Sequence, residues 1–363
     1  MSSTFTSPER ALHHWHPVML ASDLEGRPVG VRLLGQQLVV FRTSQGVAAL
    51  DDRCPHRGAR LSTGSVEDDC VVCPYHLWRF DATGHGQSPV NPRMRPFTRA
   101  FEARESRGLV WLKPRDSAAA FPAIDDDGLH FLGRYGSVIE APFPLVVDNF
   151  TEIEHSPTNH FLFAFDAEGI KEVEPRVEVA EDSLHVVYAG PQRPVPWWAF
   201  ARTVGLQVGA RHVIDFRVNF APIHWIYDLS WEDPATGRRL PSRIREFAFI
   251  TPRDEKTTAV FLLFFISRRL FGAQNALGWV LRRLFLARAH REFMLDRNIC
   301  ENVADMNPKI DLDGLQLGKF DHVLRSARTL VGTVYAGGAA VPRLEPARAD
   351  GPAEAAGDRR LSG

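Results

Sequence analysis

The stretches 54-CPHRGA-59 and 73-CPYHLWRF-80 decide how this chain is read. They give Cys-x-His, sixteen intervening residues, then Cys-x-x-His. Two thiolates and two imidazoles suit either a tetrahedral zinc ion or a [2Fe-2S] cluster with the imidazoles on one iron. A zinc finger usually gathers its cysteines in one half and its histidines in the other, whereas here each loop supplies one of each. That grouping suits a cluster whose inner iron takes Cys54 and Cys73 and whose outer iron takes His56 and His76. Cys70 makes a Cys-x-x-Cys with Cys73, but the four-ligand set is complete without it, and an extra buried cysteine is the commoner role.

Around these loops, from Trp15 to about Lys113, short β-rich runs such as 29-VGVRLL-34, 37-QLVVFR-42 and 109-LVWL-112 are separated by Gly, Asp and Pro. This predicts an all-β domain over residues 12–116. The segment 114-PRDSAAAFPAIDDDG-128 has the composition of a linker. Beyond it, 175-PRVEVAEDSLHVVYAG-190 and 211-RHVIDFRVNFAPIHWIYDLSWE-232 read as strands of an antiparallel sheet, and 258-TAVFLLFFIS-267 as a buried strand. Helical periodicity runs from 274 to 305 and again from 319 to 331, so a second, α+β domain is expected over residues 117–340. The tail 341–363, rich in Pro, Ala, Gly and charge, is expected to be disordered.

A chain of 363 residues exceeds the usual size of one core, in keeping with two domains. Its 43 basic and 44 acidic side chains nearly cancel, which gives no electrostatic reason to expect nucleic acid as a partner. No apolar run approaches the ~20 residues of a membrane-spanning helix. The start of the chain lacks the pattern of a secretory signal, and four cysteines are too few for a disulfide scaffold, so the cytoplasm is the expected location.

A second constellation lies in 149-NFTEIEHSPTNH-160. His155 and His160 with one distant carboxylate would make a two-histidine, one-carboxylate iron site with coordination positions left open. Alone, His-x4-His is a weak signal, more often a solvated face than a metal site. Coupled to an iron–sulfur domain, it becomes the electron acceptor that such a domain needs.

With both constellations in place, the chain resembles the Rieske non-haem iron oxygenases, and residues 50–80 match the Rieske signature of the oxygenase type. Electron-transport Rieske proteins carry an extra disulfide beside the cluster, and its two places hold Ala59 and Tyr75 here. Asn149, Glu152, His155 and His160 fall in order on the family's Asn-x-x-Asp/Glu-x-x-His-x4-His motif. The resemblance implies that His155 and His160 are iron ligands and that Glu152 bridges His155 to a cluster histidine of a neighbouring subunit. Asn149 would sit beside the iron without ligating it. Most members have Asp where this chain has Glu152, and Glu154 falls outside the motif. In 291-REFMLDRNICENV-303 the family pattern places the third ligand at Asp296, with Glu292 one turn earlier as runner-up.

The resemblance further implies a β Rieske domain followed by a helix-grip (START-like) catalytic domain, with an antiparallel sheet and a long C-terminal helix. One [2Fe-2S] cluster and one mononuclear Fe(II) per chain, and a homotrimer, follow from it. A ferredoxin or NAD(P)H-dependent reductase would supply electrons for the reaction of O2 with a small-molecule substrate. Hydroxylation or oxidative demethylation of an aromatic or alicyclic molecule is the expected activity, with ring cis-dihydroxylation as the alternative. A Rieske electron carrier without an iron site and a zinc module are readings from other classes. Phe161, Phe163, Trp197, Trp198, Phe216 and Phe220 are candidate pocket residues that equally suit a core. Arg53, Arg57, Arg60 and Arg79 flank the cluster loops and are candidates for docking an acidic donor, whereas 13-HHWH-16 reads as a solvated or partly packed tract.

Overall fold

The structure, a computed structural model, describes residues 9–160, 163–194, 209–268, 271, 275–307, 316 and 318–338. After a short helix, α1 (Glu9–Leu12), four strands follow: β1 (His16–Leu20), β2 (Val29–Leu33), β3 (Gln36–Thr43) and β4 (Gly46–Asp51). The loop region carries a small sheet of β5 (Ser65–Glu67), β6 (Cys70–Val72), β7 (Arg79–Phe80) and β8 (Gly86–Gln87), and the chain then returns as β9 (Ala100–Ser106) and β10 (Leu109–Pro114). The larger sheet has the order β1-β10-β9-β4-β3-β2, and Val39, Phe41, Leu50, Leu61, Val71 and Phe80 form the core between it and the small sheet. The two motif cysteines belong to this same apolar cluster.

The expected linker contains neither helix nor strand between residues 115 and 129, yet it is packed. Phe121 sets its ring against Trp15 and Trp111, at centroid distances of 5.3 and 5.0 Å, and Trp15 Nε1 donates to Ala119 O. Asp127 pairs with Arg243. Phe121 and Ile124 pack against the apolar core of Trp15 and Trp111, which a composition reading cannot distinguish from spacer.

The second domain is one seven-stranded antiparallel sheet. Its strands are β11 (His130–Ile139), β12 (Arg176–Val179), β13 (Ser183–Pro191), β14 (Arg211–Phe220), β15 (Ile223–Glu232), β16 (Arg239–Pro252) and β17 (Thr258–Ile266), in the order β11-β17-β16-β15-β14-β13-β12. The run expected as a buried strand is β17, buried along its whole length. Alternation sorts β16 cleanly: Ile244, Ala248 and Ile250 join the core under the helices, whereas Phe247 and Phe249 join a core shared with Trp15, Leu109 and Trp111 of the first domain.

Among the described residues the helices packed with this sheet are α2 (Phe143–Thr151), the short α3 (Ser156–Asn159), the long α4 (Ala276–Met306) and α5 (Asp321–Leu330). Asn275 caps α4 by accepting from Gly278 N–H at 2.8 Å. Close approach of α4 to the sheet needs Gly133, where a Cβ would lie 2.5 Å from Leu286 Cδ1. The helices predicted over 274–305 and 319–331 are α4 and α5, while the tail 341–363 lies outside the described residues. The 13-HHWH-16 tract runs into the first strand, since His16 begins β1. His14 and His16 are buried, with His14 stacked on Tyr335 and His16 Nε2 bonded to Ala11 O, while His13 is half-buried, so of the two expected states the tract takes the packed one.

Candidate functional site

The two cluster loops are built alike. Cys54 N–H donates to Ala59 O and Gly58 N–H returns to Cys54 O, both at 2.8 Å. In the second loop Cys73 N–H donates to Trp78 O at 2.8 Å and Leu77 N–H to Cys73 O at 3.1 Å. Each turn needs a left-handed residue four past its cysteine: Gly58 (φ +74°) in the first, and in the second Leu77 (φ +58°), an uncommon state for a residue with a side chain.

These turns bury Cys54 and Cys73 and bring His56 and His76 toward the surface, with ring centroids 4.4 Å apart. His56 is stacked flat on Trp78 at 4.4 Å. Burial pushes the Cys54 thiol up to about 11, a cost that ligation of an iron removes. Sulfurs inside and imidazoles outside match a cluster with one protected and one surface iron. Cys70 opens β6 and is half-buried. Arg79 is engaged by Glu67 and Asp68, whereas Arg53, Arg57 and Arg60 are exposed.

The compact set is His155, His160 and Asp296. Helix α2 ends at Thr151, the chain turns through Glu152, and α3 then spans Ser156–Asn159, so that His155 and His160 bracket one helical turn and face each other. Their Nε2 atoms are 3.1 Å apart, and Asp296 Oδ1 on α4 lies 3.6 Å from the first and 3.3 Å from the second. Three ligands on one face of an octahedral ion, with bonds of about 2.1 Å, are roughly 3 Å apart. The triangle therefore fits one cation. Asp296 Oδ1 is buried and has no hydrogen-bond partner among the described residues, which is the state of a ligand atom without its metal.

Electrostatics agree. Burial raises the Asp296 carboxyl to about 7, with Glu292 and Glu152 adding to it against the pull of His155. Burial lowers His160 to about 3, and His155 adds to the effect. Burial also works against a charged His155, but the hydrogen bond and charge of Glu152 outweigh it and raise that imidazole.

Glu152 accepts from His155 Nδ1 and, through its other oxygen, from the backbone N–H groups of Glu154 and His155. This fixes the ring so that Nε2 faces His160. Glu292, the alternative carboxylate, approaches the other nitrogen of His160, with Oε2 3.7 Å from Nδ1. The geometry thus places Asp296, not Glu292, with the two Nε2 atoms. Asn149 lines the cavity beside the triangle, and Glu154 is exposed.

The triangle opens into a cavity lined by Phe163, Phe216, Leu229, Leu262, Phe264 and Phe293, with Tyr227 and Glu246 among them. Of the aromatic candidates, Phe163 and Phe216 line it and Phe220 is buried elsewhere in the core. Phe161, Trp197 and Trp198 lie outside the described residues. Tyr227 and Glu246 escaped the sequence reading. Their signal was there for Glu246, a charged residue in the same alternating phase as Ile244, Ala248 and Ile250.

Known proteins and family models resemble both domains. A model of the Rieske [2Fe-2S] domain matches residues 14–102, and one of the vanillate O-demethylase oxygenase C-terminal domain matches 139–317. Among curated relatives, the 4beta-methylsterol monooxygenase of Methylococcus capsulatus is 27% identical over 69% of this chain and 68% of its own length. Dicamba O-demethylase, oxygenase component, of Stenotrophomonas maltophilia is 37% identical over 40% of this chain, and methylxanthine N1-demethylase NdmA of Pseudomonas putida 33% over 42%. These last two matches span about half of each relative, 46% and 48%. Dicamba monooxygenase bound to dicamba has the same fold, with a TM-score of 0.70 at 23% identity, covering 89% of this chain and 97% of that one.

Proposed function

Because the chain belongs to the Rieske non-haem iron oxygenases, we propose that it is the terminal oxygenase component of a multicomponent monooxygenase. It uses O2 and reductase-supplied electrons to hydroxylate or oxidatively demethylate an aromatic or alicyclic small molecule. One observation carries this: a single chain holds both the Cys54/His56/Cys73/His76 loops and the His155/His160/Asp296 triangle, and the triangle opens on an apolar cavity.

When bound, the cluster supplies single electrons, and the iron supplies open coordination positions at which dioxygen is activated next to substrate. The protein's part is positioning. His155, His160 and Asp296 would hold the iron, beside the cavity that they help to line. Glu152 holds His155 at Nδ1 and would be the bridge between a bound cluster and a bound iron. Asn149 stands beside the ligands, and the aromatic walls exclude water and orient a ring. Cluster and iron of neighbouring subunits would work together in a homotrimer. Arg53, Arg57 and Arg60 would dock an acidic ferredoxin or reductase, so donor-dependent turnover should fall steeply with salt.

The described residues include no helix long and apolar enough to cross a membrane. A cytoplasmic location is supported by four unpaired cysteines, two of them placed for metal. Iron analysis of purified protein tests the reading: about three irons per chain with a red-brown Rieske spectrum are expected. Two irons would leave a carrier, and zinc without that spectrum would end both readings.

A further inference from the structure

The floor of the cavity is a single cross-strand row. Phe216 on β14 pairs with Tyr227 on β15, Tyr227 with Glu246 on β16, and Glu246 with Phe264 on β17, and all four side chains line the cavity. The Tyr227 hydroxyl donates to Phe150 O and so has its partner. Glu246 is half-buried, lines the cavity, and has no hydrogen bond or ion pair among the described residues. Burial pushes its carboxyl up to about 8, with Asp296 and Glu292 adding to it.

A carboxyl kept without a protein partner in an apolar row costs stability, and a ligand group that meets it removes that cost. The other carboxylates in the described lining have work already: Glu152 holds His155, Asp296 faces the histidine pair, and Glu292 lies against His160. No lysine or arginine is among the described lining residues.

We propose that Glu246 determines specificity here, receiving an N–H or O–H group of a neutral or cationic, otherwise apolar ring compound and turning away aromatic carboxylates and sulfonates. The inference rests on the oxygenase reading for its catalytic meaning, but not for the binding preference itself. Protonated, the acid both donates to and accepts from a hydroxyl or amide. Ionised, it accepts from an ammonium. An anionic ligand meets repulsion in the second case and finds no cation in either, and salt screens little inside such a cavity.

Calorimetric titration of the holoenzyme with 1-naphthylmethylamine, 1-naphthalenemethanol and 1-naphthoate tests this with ligands of one ring system. The amine and the alcohol should bind at least about tenfold tighter than the acid, and Glu246→Gln should reduce the amine-to-acid ratio by about tenfold. Naphthoate binding as tightly as the amine in the unmutated protein overturns the proposal, as does a ratio that Glu246→Gln leaves unchanged, or no binding of any of the three at millimolar concentration. The unmutated comparison stands even if the variant does not fold. Iron content and cluster absorbance of the same samples separate the two ideas: missing iron refutes the oxygenase reading, whereas intact metals with no amine preference refute the role of Glu246.

Discussion

Glu152 grips His155 by Nδ1, and in doing so turns the ring's other nitrogen toward His160, 3.1 Å away. Glu152→Gln keeps an oxygen in place but removes the charge. We expect it to retain cluster and iron while slowing cluster-to-iron electron transfer at least about tenfold, read by single-turnover kinetics. Glu152→Ala, which frees the ring, should weaken iron binding roughly 10–100-fold in a chelator competition. Near-normal transfer in the Gln variant would refute the bridge.

The two carboxylates one turn apart on α4 should separate sharply. Asp296→Ala, like His155→Ala and His160→Ala, is expected to lose the mononuclear iron, falling from about three irons per chain to about two with an unchanged Rieske spectrum. Glu292→Gln should keep all three. Iron loss on changing Glu292 but not Asp296 would reverse the ligand assignment.

Gly58 and Leu77 occupy equivalent left-handed positions in the two cluster loops. Gly58→Ala should cost about 1 kcal/mol, and Leu77→Gly should be neutral or gain a similar amount, since the strain at an exposed leucine is relieved. Urea midpoints of the holoprotein check both, and a stabilising Gly58→Ala would contradict the backbone argument.

His16, His212 and His224 are buried, and burial lowers them to about 3, 4 and 4 against an ordinary 6.5. Each is therefore neutral when folded and takes a proton on unfolding. The stability they contribute is fully present above pH 6.5 and is lost as pH falls through 6.5 toward 4. These three groups by themselves contribute about 4 kcal/mol per pH unit across the middle of that window, and the Glu246 carboxyl, raised to about 8 by burial, opposes them by about 1.4. Denaturation midpoints from pH 7 to 4.5 should show it, and His212→Phe should remove about a third of the histidine contribution; a profile that stays flat to pH 5 would count against it.

Arg328 on α5 forms a double hydrogen bond to the buried Asp148, next to Asn149 on α2. Removing one partner of such a pair leaves a buried charge, so Arg328→Ala should cost about 3 kcal/mol. It should also disturb the iron site, because α2 leads directly into Glu152 and His155. Unchanged stability with unchanged iron affinity would show that the pair carries neither.

What could be read in advance depended on how local the signal was. The cluster loops and the 149–160 motif are short, so their spacing alone brings the ligands together, and uninterrupted periodicity marked α4 and β17. Asp296 and Glu292 share a face of α4, and helical periodicity cannot choose between them; that needed the direction of the His160 ring. Glu246 and Tyr227 meet through pairing of β15 with β16, a register that no window of sequence contains. The Pro, Ala and Asp content of 114–128 is that of a linker, and composition says nothing of Phe121, which packs against both Trp15 and Trp111.

That last packing has a mechanical meaning. Trp15, Leu109 and Trp111 share one apolar core with Phe247, Phe249, Phe261 and Phe265, and Phe121 seals its edge. The two sheets cannot part without wetting that core, so heating should melt both in a single cooperative step. A protease cut near Asp125 should leave the fragments held together rather than release a free cluster domain.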